Sequence, residues 1–278
     1  MRREWNAGRR LVRLSRELAP WLARALAVVA TLLAPEKLAF AAPKIGIVLL
    51  HGALAAPGDL DDTAKYLSDA GYVVDVPEMC WSQDRHYDKT FLACLGEIDP
   101  AIARLKAKGA HAIVVAGFAF GGSAAIAYGA RNAGLAGILA LAPDHEPERL
   151  AREVHIAQSL ALAIRLNEAG KGNQPMDLSI YADGKIVGAR MTARFYPTFY
   201  AVDSHGYMPA NTPRLTAPIL WVGGTKDRSQ LGPTYAFNKA PANPLNRYVK
   251  LGSDHLGTLS AGKDAVLSWL SDLAAAQH

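Results

Sequence analysis

From residue 45 onward, short runs that are apolar throughout alternate with longer stretches whose apolar positions recur every three to four residues. Ile45–Leu50 (IGIVLL), Tyr72–Val76, His111–Ala116 (HAIVVA), Leu135–Ala142 (LAGILALA), Pro218–Val222 (PILWV) and Arg247–Leu251 have strand length. Each stops at glycine, proline or a polar residue. A strand that is apolar at nearly every position is covered on both faces, as in a parallel sheet between helix layers. Pro57–Ala70, Phe91–Lys108, Gly121–Asn132 and Lys263–Ala275 read as the helices that supply that cover. The pattern predicts an α/β fold in one domain, with a mostly parallel sheet and helices on both faces.

Between Asp144 and Pro213 the alternation lapses. Glu148–Glu168 carries Leu150, Val154, Leu160 and Ile164 at helical spacing and predicts one long helix. Ser179–Tyr181 and Lys185–Val187 flank Asp183-Gly184, a hairpin-turn pair. Phe195, Tyr196, Phe199, Tyr200 and Tyr207 follow. Residues 145–213 or thereabouts are therefore expected to form a helical and hairpin cap over one end of the sheet. Its aromatic side chains either line a pocket or pack the cap onto the domain.

Composition narrows the class. With 278 residues, 50% apolar and 20% charged, and only two cysteines, the chain is neither disordered, collagen-like nor a disulfide-stapled miniprotein. The formal charge of +5, from 30 basic and 25 acidic side chains, invites a nucleic-acid partner. Its location removes that reading. Eight of the basic and three of the acidic residues fall within residues 1–41, leaving 22 of each in residues 42–278. The leader has a basic start, a ten-residue apolar run (Ala25–Ala34), Pro35, and the small-residue exit Ala39-Phe40-Ala41. These are the marks of a secretory signal peptide, so residues 42–278 are expected to be exported, periplasmic or secreted. Ten residues at 1.5 Å each fall short of a hydrocarbon core about 30 Å thick, so no lasting membrane span is expected. In an oxidising compartment Cys80 and Cys94 either form a disulfide or serve as small core residues.

The chemistry gathers where strands end. His111–Ala116 runs into Gly117-Phe118-Ala119-Phe120-Gly121 and then an alanine-rich helix. Glycines at both ends of this elbow permit a sharp strand-to-helix turn that lifts the central residue to the carboxyl edge of the sheet. The first strand ends in His51-Gly52, a late strand leads into Gly224-Thr225-Lys226-Asp227, and Gly252-Ser253-Asp254-His255 precedes the last helix. Elbow, Asp and His in this order resemble the α/β-hydrolase superfamily, over Ile45 to the C-terminus apart from the insertion. Pro77–Ser82 (PEMCWS) is also similar to a motif of exported bacterial α/β hydrolases.

The resemblance implies a carboxylic-ester or acyl hydrolase with Ala119 at the nucleophile position, Asp227 as the orienting acid and His255 as the base. It implies an oxyanion hole from the main-chain N–H of Ala53 or Leu54 with that of Phe120. His51, Phe118, Trp81, Phe199 and Tyr200 become candidate substrate-binding residues. An alanine methyl cannot attack a carbonyl, so turnover is expected to be lost or severely impaired. Ala119 is then either a replaced nucleophile in a hydrolase or the native residue of a non-catalytic protein that binds an apolar ligand or protein partner. Ser123, one helical turn on, reads as a packing residue, while Cys80 lies in a loop near the same edge. The expected partner is a small ester or acyl substrate or ligand. No cofactor and no metal are expected: His145, Glu146, Glu148 and His155 lack a ligand spacing, and no phosphate loop is present.

Overall fold

The computed structural model describes residues 44–229 and 231–277. The signal peptide expected at residues 1–41 lies outside them. The strands are β1 (Ile45–Leu50), β2 (Val73–Asp75), β3 (Ala112–Phe118), β4 (Gly137–Leu141), β5 (Pro175–Ala182), β6 (Lys185–Thr192), β7 (Ile219–Gly224) and β8 (Arg247–Leu251). The helices are α1 (Asp61–Asp69), α2 (Phe91–Leu95), α3 (Ile98–Ala107), α4 (Phe120–Gly129), α5 (Pro147–Leu150), α6 (Val154–Glu168), α7 (Tyr196–Tyr200), α8 (Met208–Asn211), α9 (Gly257–Ala261) and α10 (Lys263–Ala275).

Six strands form one parallel sheet in the order β2-β1-β3-β4-β7-β8, and β5 and β6 form a separate antiparallel hairpin. The chain has the α/β architecture its apolar runs predict. Alternation along the central strands explains why those runs are continuous. Val48 and Leu50 of β1, Val115 of β3, Ala140 of β4 and Trp221 of β7 face one core; Ile47, Leu49, Val114, Leu139 and Val222 face the other. The first core is closed by α3 and α4 through Ile98, Leu105, Ile126 and Tyr128. The second is closed by α1 and α10 through Leu67, Trp269, Leu270 and Leu273. Burial of aliphatic side chains on both faces contributes about 1.5–3 kcal/mol for each one fully withdrawn from water.

Two expected helices are split, each for a local reason. Pro100 lies in the first turn of α3, where it has no N–H to give to the Gly96 carbonyl, so Phe91–Lys108 becomes α2 and α3. Within Glu148–Glu168, Glu153 is extended (φ −70°, ψ 132°) and its carboxylate accepts from the N–H groups of His155 and Ile156. It caps a new helix, so the segment becomes α5 and α6. The hairpin turns at Asp183-Gly184 as expected, with longer strands than the sequence marked. No helix among the described residues is long and apolar enough to cross a membrane.

Cys80 and Cys94 are joined in a disulfide, their Cα atoms 5.6 Å apart and 14 residues apart in sequence. The ring holds a loop that supports the end of β1: Trp81 accepts the Leu54 N–H at 2.9 Å and its indole donates to the His51 carbonyl at 3.0 Å. Gln83 N–H donates to the Ala55 carbonyl at 3.1 Å. Closing a loop of this size removes about 3 kcal/mol of unfolded-state freedom. The Cys80→Ser/Cys94→Ser double variant is therefore expected to lose about 3 kcal/mol in urea unfolding relative to the oxidised parent; an unchanged midpoint would contradict this.

Candidate active site

At the end of β3 three backbone segments meet with no room for a side chain. A Cβ on Gly117 would sit 2.2 Å from Gly121 backbone atoms, and one on Gly121 would sit 2.3 Å from the Leu50 carbonyl oxygen. The chain must therefore turn abruptly between these glycines, and Ala119 takes φ 52° and ψ −120°. An L-residue in this region is strained by on the order of 1–3 kcal/mol and persists only where its surroundings hold it. Here the Ala119 N–H is bonded to the Leu141 carbonyl of β4 at 2.9 Å, and its own carbonyl receives Gly122 and Ser123 of α4. The elbow has the geometry of a nucleophile turn and carries a methyl group.

The neighbouring loops bring the other groups to the same edge. Thr225 N–H donates to the Leu251 carbonyl at 2.7 Å and Lys226 N–H to the Ser253 carbonyl at 3.0 Å, lacing the loops after β7 and β8 together. His255 Nδ1 consequently donates to Asp227 Oδ2 at 2.7 Å. Ser229 gives Asp227 Oδ1 two further bonds, from its N–H at 2.9 Å and its hydroxyl at 2.6 Å. Burial works against the Asp227 carboxylate, but the bonds from His255 and Ser229 outweigh it and hold its pKa below the ordinary value. The His255 ring also packs on Phe118, centroids 5.0 Å apart.

A second carboxylate, absent from the sequence-based expectation, faces the other side of that imidazole. Asp144, after β4, is 3% exposed and places Oδ2 3.6 Å from His255 Nε2. That separation is an ion pair rather than a hydrogen bond, and Nε2 makes no hydrogen bond among the described residues. Burial pushes Asp144 up to about 7 against the pull of His255, with Asp227 and Asp183 adding to the rise. Burial also opposes charge on His255; the bond to Asp227 and the fields of Asp144, Asp227 and Asp183 prevail and raise its pKa. A carboxylate three residues past the end of β4, on the carboxyl edge of the sheet, was the one sequence cue to this contact.

The expected oxyanion donors divide. Leu54 spends its N–H on Trp81, so it is corrected out of that role. The N–H groups of Ala53 and Phe120 make no hydrogen bond among the described residues. The His51-Gly52 turn lies against the elbow, since a Cβ on Gly52 would be 3.7 Å from that of Ala119. Beside it opens a cavity of about 290 Å³ lined by His51, Gly52, Asp59, Phe118, Asp183 and Leu256, among others. The hairpin turn of the insertion thus reaches the site through Asp183.

Trp81, Phe199 and Tyr200 do not line that cavity, and this corrects their expected role. All three have no exposed surface. Trp81 packs on Phe120 at 5.0 Å, Phe199 meets Tyr87 edge-on at 4.9 Å, and Tyr200 meets His145 at 5.4 Å. With no ring surface left for a ligand, these aromatics pack the insertion onto the domain. His51 keeps one wall of the cavity, but its ring is fully engaged. Nδ1 donates to the Gly52 carbonyl at 2.8 Å and Nε2 accepts the Met79 N–H at 3.1 Å, so it is neutral, with its pKa lowered by burial.

Alternative nucleophiles are tied up. Ser123 is fully buried and its hydroxyl accepts the His145 N–H at 3.0 Å, while Cys80 has no thiol. Among the described residues no group of three or more His, Cys, Asp or Glu side chains is arranged to hold a metal ion. Glu146 is paired with Arg149, and Glu148 accepts the Tyr235 hydroxyl at 2.6 Å.

No family model and no curated protein matches the sequence. Solved structures do. One of the metagenome-derived lipolytic enzymes LipS and LipT superposes with a TM-score of 0.59 and 19% identity, over 85% of this chain and 95% of its own. The monoacylglycerol lipase of Paleococcus ferrophilus gives 0.60 and 18%, over 82% and 94%. The alpha/beta hydrolase GrgF from Penicillium sp. sh18 gives 0.61 and 17%, over 84% and 90%. Together with the parallel sheet and the elbow, these likenesses define the chain as a protein of the α/β-hydrolase fold.

Two measurements test this geometry. Gly121→Ala is expected to cost about 3 kcal/mol in denaturant unfolding, because its methyl collides with main chain that cannot step aside; a loss under half of that would refute the crowding described. Asp227→Asn should lower the His255 titration midpoint seen by ¹⁵N NMR. The Asp227–His255 pairing stabilises the fold fully between about pH 4 and about pH 6.5, and that stability is lost as the pH rises through the raised His255 value or falls through the lowered Asp227 value. Melting temperatures of parent and variant should differ most inside that window.

Proposed function

We propose that this chain carries the site of a carboxylic-ester or acyl hydrolase in which Ala119 occupies the nucleophile position, so that a small ester or acyl ligand is bound without forming an acyl-enzyme. One observation carries the reading: the Asp227–His255 hydrogen bond of 2.7 Å stands at the edge of the sheet where the strained elbow presents residue 119. With a hydroxyl at that position, His255 Nε2 would take its proton as Oγ attacks the acyl carbon. The N–H groups of Ala53 and Phe120 would receive the oxygen of the tetrahedral intermediate, and the proton would return from His255 to the departing alcohol. The methyl of Ala119 supplies neither nucleophile nor proton.

A second reading, a native non-catalytic protein that binds an apolar ligand or protein partner, is favoured by Asp144. Its carboxylate beside Nε2 favours an imidazolium that already holds the proton a general base must be free to receive. For either reading we infer export, supported by the basic and then apolar leader and by a disulfide suited to an oxidising compartment.

Ala119→Ser decides between the two. If the remaining groups are hydrolytic machinery, the variant should hydrolyse p-nitrophenyl acetate or butyrate at least about a hundredfold faster than the parent, given that a triad nucleophile is worth on the order of 10⁶. It should also be labelled at residue 119 by a fluorophosphonate, with the parent unlabelled. Equal rates and no labelling at both neutral and alkaline pH would leave the binding protein as the function.

A further inference from the structure

Three parts of the molecule converge their charge on His255. Asp227 and Ser229 approach from the loop after β7, Asp144 from the loop after β4, Asp183 from the hairpin turn, and Phe118 covers the ring from β3. Among these groups only His255 can be a cation. Asp144 is nearly inaccessible, and the nearby Arg149 is already paired with Glu146. Burial is costly to the Asp144 carboxylate, and His255 is the largest influence that offsets this cost, ahead of a backbone hydrogen bond.

We propose that Asp144 is a positioning residue that keeps His255 an imidazolium paired on both of its nitrogens, so that the base is withheld from the elbow by this carboxylate as well as by the missing hydroxyl. The proposal rests on the reading of residue 119 as a nucleophile position. A general base needs the Nε2 lone pair free when the hydroxyl arrives. With Asp227 on Nδ1 and Asp144 3.6 Å from Nε2, the proton on Nε2 is held more tightly than Asp227 alone would hold it, and Nε2–H points its charge at Asp144. The imidazole is oriented like that of a hydrolase and charged unlike one. Restoring serine at position 119 would therefore return only part of the activity at neutral pH, and more of it as the pH rises.

The test uses the full folded chain in two backgrounds. In the parent, Asp144→Asn and, as a second substitution of different shape, Asp144→Ser are each compared by ¹⁵N-histidine NMR. The His255 titration midpoint is expected to fall by about one pH unit or more in both, since one unit corresponds to a tenfold change in proton affinity. In the Ala119→Ser background, adding Asp144→Asn is expected to raise kcat/KM for p-nitrophenyl butyrate about tenfold at pH 7 and to move the rising limb of the pH profile downward by a similar amount. An unchanged titration together with an unchanged profile overturns the proposal. If Ala119→Ser is active and Asp144→Asn moves neither readout, the hydrolase reading stands and the pairing falls. If both serine variants are inactive while the titration shifts, the pairing stands and the hydrolase reading falls.

Discussion

Where β3 gives way to α4, the main chain of Gly121 runs so close to the Leu50 carbonyl and to Gly117 that neither glycine has space for a methyl group. This contact ties together the end of β1, the end of β3 and the start of α4, and the other parts of the site take their positions from it. It forces the positive φ of Ala119, brings the His51-Gly52 turn alongside, and sets the first N–H groups of α4 at the mouth of the site. Strain recurs around it. Leu54, Ala119 and Ala142, each after a strand on this edge, all have positive φ without being glycine. Such clustering is the usual companion of a site whose groups must be held in one arrangement.

Around that scaffold the electrostatics are lopsided. Asp227, Asp144 and Asp183 bear on a single imidazole, while Arg149 is committed to Glu146. In the low dielectric of a covered cleft, these charges act more strongly than on an exposed surface. The insertion contributes on both counts: its hairpin turn supplies Asp183, and its aromatic side chains anchor it over the sheet. Phe199 and Tyr200 thereby serve the site by fixing its roof, without touching a ligand.

Much of the fold was readable because both faces of the central strands are covered. β1, β8 and α10 fall on the residues that the apolar pattern marks, and the interior strands shift by only one or two. Where the reading failed, a specific local interaction had won. Pro100 divided one helix, and the capping carboxylate of Glu153 divided another. Helices α7, α8 and α9 are four or five residues long, too short to show a period. In the site, order along the chain marked the elbow, Asp227 and His255, because the fold delivers successive strand ends to one edge. Asp144 and the Leu54–Trp81 bond escaped, since each depends on how two loops far apart in sequence come to rest against each other.

The disulfide ring bears on how the protein is prepared. Its loop holds the 51–55 turn through Trp81 and Gln83, and that turn carries the Ala53 N–H. A host that keeps thiols reduced would yield chains with a complete sheet but with this turn fastened by hydrogen bonds alone. Material from a cytosol and material from a periplasm would then share a far-ultraviolet spectrum and differ at the site. Ligand binding compared between such preparations would report the redox history of the sample as much as the chemistry of the cleft.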